Sequence, residues 1–178
     1  LSNLFSNIGL FKSITNSFTC LDKSLAVYHP EIVKQLGIKS GDMISYAFYF
    51  FNKSILDSVR NKTSSGSKLY QKTLEDSLFK ITNHFNILKQ SKLIGDPFYS
   101  SYNLKIIPSN DVWVSPWELL DNDLSNITDD QKTLLMILES YLNHFRNNDI
   151  EQMKLSASSY LETIGSMDGI NINNIKRR

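Results

Sequence analysis

Few residues in this chain have the types and spacing that chemistry requires. There are three histidines: His84 and His144, each inside an Asn-His-Phe triplet, and His29, which precedes Pro30. A metal site would want ligands at i and i+4, or carboxylates converging on a histidine. None of the three has such a partner in sequence, so structural or surface roles are expected. Cys20 is the single cysteine and lies in Phe-Thr-Cys-Leu, an apolar setting that disfavours a thiolate. It is expected to be a small core residue, and being alone it excludes an internal disulfide and a cysteine-based zinc site. A nucleophile elbow, Gly-x-Ser-x-Gly, is absent, and the seven glycines are not clustered into a phosphate-binding loop. Asp121, Asp123, Asp129 and Asp130 form an acidic run around a helix start, where carboxylates complement the helix dipole; the EF-hand spacing is missing. What remains is Val112-Trp113-Val114-Ser115-Pro116-Trp117. Two tryptophans four residues apart can close a hydrophobic core, or line a groove for an apolar ligand or a peptide. The core reading is preferred. The groove reading stays open, with Trp113, Ser115, Pro116 and Trp117 as candidate partner-binding residues; no catalytic residue and no metal ligand is assigned.

The elements that must position these residues are mostly helical. From Asp42 the apolar set Ile44, Ala47, Phe48, Phe51, Ile55 and Val59 recurs at steps of three and four, which predicts one helix. Asn61 to Ser67 is a polar breaker. The longest helix follows, with Tyr70, Leu74, Leu78, Ile81, Phe85 and Leu88 on one face, ending by Gly95. Residues 96–114 hold no period; with Phe98, Tyr99, Tyr102 and Trp113 they read as an irregular aromatic loop containing one extended piece, Leu104 to Ile107. Ser115-Pro116-Trp117-Glu118 and Thr128 with Gln131 are both capping boxes, in which the hydroxyl and the third side chain each satisfy a free backbone amide. The second box opens a helix with Leu134, Leu138, Tyr141 and Phe145 as its buried stripe. Asn147-Asn148 breaks the chain, and Asp149 caps a last helix with Ile150, Met153, Ala157, Tyr160, Leu161 and Ile164 on one side and Gly165 as its stop. The expected fold is mainly α: a single domain of about five to six helices, a C-terminal antiparallel helical hairpin and one irregular aromatic loop. Residues 1–24 form a partly helical N-terminal segment, 25–165 the helical domain and 166–178 a flexible tail.

Composition limits the partners. Nineteen Lys plus Arg against eighteen Asp plus Glu leave a net charge of +1, no footprint for nucleic acid or an anionic membrane surface, and the terminal Lys176-Arg177-Arg178 reads as a solvated tail. The longest apolar run, Met43 to Phe51, is far short of the ~20 residues a spanning helix needs. The start at Leu1, without a Met, suggests a piece of something longer.

Three segments, in order, carry a family resemblance. His29-Pro30-Glu31-Ile32-Val33-Lys34-Gln35-Leu36-Gly37-Ile38 is similar to the His-Pro-x-Ile…Leu-Gly segment of the fused ResB/CcsA-type (System II) cytochrome c biogenesis proteins. Tyr46-Ala47-Phe48-Tyr49-Phe50-Phe51 looks like the aromatic segment that follows it there. Lys105-Ile106-Ile107-Pro108 through Trp113-Val114-Ser115-Pro116-Trp117 resembles the family's Phe-Pro…Trp-x-Ser-Pro turn, and the closing helix pair with its Asn-Asp step is also similar. The resemblance covers roughly residues 25–165. It departs at Ser109-Asn110-Asp111, where the family has a longer Pro-x-Asp-Pro-Asn loop. The resemblance implies the extracytoplasmic (periplasmic) part of a membrane protein that exports haem and attaches it to Cys-x-x-Cys-His apocytochromes. Its partners would be the membrane-embedded remainder of the same protein and apocytochrome c. Haem would belong to that remainder, and no haem ligand carries over onto His29, His84 or His144. The rival expectation is a stand-alone helical interaction domain without a haem role; an enzyme with a site of dispersed residues has no sequence support.

Overall fold

The computed structural model describes residues 15–61, 67–91, 104–109, 112–121 and 124–167. The expectations for Gly95, for Phe98, Tyr99 and Tyr102, for Asp123 and for a tail beyond Met167 lie outside the described residues. The chain is mainly α, as its periodicity predicts, with two small antiparallel sheets. Its contacts group into two compact units, residues 22–97 and the residues on either side of that stretch.

In the unit of residues 22–97, β1 (Leu25–Ala26) pairs with β2 (Met43–Ile44). Between them α1 (Pro30–Leu36) begins on the His-Pro step, where proline's missing amide costs nothing. It ends at Gly37, whose φ of 67° is left-handed and lets its amide bond back onto the last turn. The single helix expected from Asp42 to Val59 is instead β2, then α2 (Tyr46–Phe51), then α3 (Lys53–Asn61). Two side chains account for the difference. Ser45 caps α2 by accepting from the Phe48 amide at 3.0 Å, which starts the helix late. Asn52 turns its Nδ2 back onto the Phe48 carbonyl at 2.8 Å, which stops it after six residues. The interruption resets the helical phase, so Tyr46, Tyr49 and Leu56 join Ile44, Ala47 and Val59 in the core, while Phe48, Phe51 and Ile55 are only half-buried. α4 (Lys68–Ser91) buries Leu74, Leu78, Ile81 and Phe85, the middle of the stripe its spacing predicts, while at the two ends of that stripe Tyr70 is exposed and Leu88 half-buried. Phe85 is the hub: Tyr49 stacks on it at 4.8 Å and Tyr46 meets it edge-on at 6.1 Å.

In the other unit, β3 (Ile107–Ser109) pairs antiparallel with β4 (Val112–Val114) at the end of the stretch expected to be irregular, and the extended piece starts three residues after the expected Leu104 and ends two after the expected Ile107. α5 (Pro116–Leu120) follows directly. α6 (Asp129–Arg146) and α7 (Ile150–Ser166) make the most extensive packing among the described elements, joined by Asn147–Asp149 with Asn148 in the left-handed region at φ 54°. Asp149 caps α7 as expected, accepting from the Gln152 amide. Three expectations fail here, the first being the stripe on α7, where only Ile164 is buried and Ile150 and Leu161 are each 63% exposed. Gly165 does not stop α7, which continues to Ser166 without a left-handed cap. The stripe on α6 is buried only at its start: Leu134 is buried and Leu138 and Tyr141 half-buried, whereas Phe145, in the last turn, is 60% exposed.

Candidate functional site

The candidate residues Trp113, Ser115, Pro116 and Trp117 sit at the corner where β4 turns into α5. Ser115 accepts from the Glu118 amide at 3.2 Å and Glu118 returns the contact to the Ser115 amide at 2.7 Å, the expected capping box. Glu118 also meets Lys105 at 3.1 Å, tying the strand entering the hairpin to the helix leaving it. Pro116 occupies the first helical turn and is buried. Trp117 is 0% exposed, and its indole Nε1 donates to Thr19 Oγ1 at 3.0 Å, whose hydroxyl donates to the Asn16 carbonyl at 2.8 Å. Three of the four candidates are therefore inside the corner. Trp113 is different: it is half-buried on β4 opposite Pro108, next to Val112, which is exposed. Of the four candidates only Trp113 is partly open to solvent.

Two side chains that the sequence marked only as helical hold the hairpin in place. Gln131, a capping-box residue, also donates from Nε2 to the Pro108 carbonyl at 2.8 Å and is buried. Tyr160 donates its hydroxyl to the Ile106 carbonyl, and burial pushes its phenol up to about 12. An apolar position on a helical stripe signals burial; nothing in the spacing signals that its hydroxyl reaches a strand carbonyl.

Beside Tyr160 the two long helices do not close. Ser156 and Ala157 of α7 are too short to fill the space against Leu138 and Tyr141 of α6, and a groove of about 280 Å³ remains, bordered by Leu161. Leu161 is 63% exposed. The groove runs on the apolar stripes that the core leaves uncovered.

The histidines are not brought together by the residues around them. His84 Nε2 shares a hydrogen bond with Ser24 Oγ at 2.9 Å. His144 Nδ1 lies 3.9 Å from Asp149 across the α6–α7 turn. His29 caps α1 with its ring 5.1 Å from that of Tyr70; its Nδ1 is buried and finds no partner among the described residues, and desolvation holds its pKa below the usual histidine value despite the nearby Glu31. Cys20 is fully buried, a small core residue as expected. Among the described residues no group of three or more His, Cys, Asp or Glu side chains could hold a metal ion, and no helix is long and apolar enough to cross a membrane.

Set against known proteins, the chain matches no family model, no curated protein and no solved structure.

Proposed function

We propose that this chain is the water-exposed, extracytoplasmic helical domain of a fused ResB/CcsA-type cytochrome c biogenesis protein. On this reading it positions the arriving apocytochrome against the membrane-embedded core that handles haem. What carries the proposal is the ordered run of three family-like segments, 29–38, 46–51 and 105–117. Each falls on a device the fold depends on. Leu36-Gly37 is the left-handed end of α1, Tyr46 to Phe51 is the aromatic helix around Phe85, and Ser115-Pro116-Trp117 is the capped, buried corner. Such a run supports a shared fold more than a shared active site, which suits a positioning domain. Thioether attachment draws its vinyl groups from haem and its thiols from the apocytochrome, leaving orientation to the protein. Trp113 and Val112 are the surface this chain offers at that corner, and none of the histidines is assigned to haem.

The second reading, a stand-alone helical interaction domain, is favoured by the groove between α6 and α7, which none of the three segments lines. The parent gene separates the two. Hydrophobic spans flanking this stretch, with a tryptophan-rich motif downstream, are expected for the biogenesis protein; a short open reading frame without them would remove it.

A further inference from the structure

We infer that the groove between α6 and α7 docks a cationic, amphipathic peptide segment, which inserts one large apolar side chain between Tyr141 and Ala157. The inference does not rest on the cytochrome reading. Large side chains at about 60% exposure stand on this helix pair, with Phe145 and Ile150 at the turn and Leu161 at the groove's edge. Apolar surface gathered in this way, beside a concave site, marks an interaction face. The volume of about 280 Å³ falls below the roughly 300–1,000 Å³ of small-molecule sites. It suits a single anchoring side chain presented by a helix or an extended peptide.

Charge selects the occupant. Residues 129–166 carry six carboxylates (Asp129, Asp130, Glu139, Asp149, Glu151, Glu162) against three cations (Lys132, Arg146, Lys154), a net of −3 in a chain whose total is +1. A second copy docking helix pair to helix pair would bring together two segments of net charge −3, and like charges across an interface are costly. A cationic segment gains from the same field in both affinity and association rate.

The test is fluorescence anisotropy with a labelled synthetic Leu/Lys amphipathic helical peptide, its Leu/Glu counterpart, and the full chain. The Leu/Lys peptide is expected to bind, more weakly as salt rises. Ala157→Leu, which fills the groove, and Leu161→Gln, which removes its border, are each expected to weaken binding about tenfold, as loss of an anchoring contact does. Leu155→Gln removes a side chain 59% exposed that does not line the groove, and binding should stay unchanged. If Ala157→Leu loses helicity by circular dichroism, Leu161→Gln decides alone. The inference is overturned if neither peptide binds, if the Leu/Glu peptide binds as tightly, or if the groove variants bind like the unaltered chain. A dimer on gel filtration that Ala157→Leu splits would assign the face to a second copy and overturn it equally.

Discussion

Replacing Trp117 with alanine tests whether the Trp-Val-Ser-Pro-Trp corner is the centre of a core or a surface. Trp117 is the largest fully buried side chain among the described residues, at 0% exposure, and its indole N–H is spent on Thr19 Oγ1 at 3.0 Å. Truncating a buried tryptophan costs about 3–5 kcal/mol in lost transfer energy and residual cavity. Trp117→Phe keeps much of the apolar volume but gives up the hydrogen bond, which by itself is worth about 1 kcal/mol. Trp113→Ala, at a half-buried strand position, should cost about 1 kcal/mol, the common value for a substitution outside the core. For a chain of this size 1 kcal/mol moves the melting temperature by about 2–4 °C. Trp117→Ala is then expected to melt roughly 6–20 °C lower, and Trp113→Ala only a few degrees. Urea unfolding followed by tryptophan emission measures both. With only two tryptophans, Trp113→Phe isolates the buried one, whose emission should be blue-shifted until the corner opens. If Trp117→Ala costs no more than Trp113→Ala, or if the isolated Trp117 emits like an exposed indole, the assignment of this corner to the core is wrong.

Three further outcomes follow from single positions. Gly37→Ala puts a Cβ on a backbone at φ 67° and should destabilise by about 1 kcal/mol, read as a lower urea midpoint with an unchanged slope. His29 has its pKa held below the histidine norm by burial, and a cation there would also face the start of α1; stability should therefore be full above about pH 6.5 and fall as the solution is acidified below it. His29→Gln should flatten that acid limb, and an unchanged limb would assign it to other groups. Tyr160 is the opposite case. Its folded pKa is raised to about 12 from 10, so its contribution is complete below pH 10 and is lost as pH climbs toward 12. Tyr160→Phe should be insensitive to that alkaline step while losing the bond to the Ile106 carbonyl at all pH values.

Local chemistry was the most legible part of the sequence. Both capping boxes, the Asp149 cap, the Asn147-Asn148 break and the middle of the buried stripe of α4 are nearest-neighbour or one-face patterns, and they stand where the residues put them. Competition between alternatives was less legible. Asn52 is compatible with a continuing helix, and only its side chain's return to the Phe48 carbonyl shows that the helix breaks there. Phe145 and Leu161 have the spacing of core residues, but spacing does not report how much of a face is covered. At the candidate corner the sequence marked four residues without separating their roles. Ser115, Pro116 and Trp117 build the corner, and Trp113 alone among the four stands at its edge. The long-range bonds from Gln131 and Tyr160 to hairpin carbonyls had no signal in spacing at all.

On the proposed reading this domain receives an apocytochrome. Titrating a Cys-x-x-Cys-His peptide, with a Ser-x-x-Ser-His control, into the full chain by isothermal titration calorimetry tests it most directly. Saturable binding is expected, weakened about tenfold by Trp113→Ala while the fold is retained. Absence of binding to the unaltered chain, or binding that Trp113→Ala leaves unchanged, would contradict it.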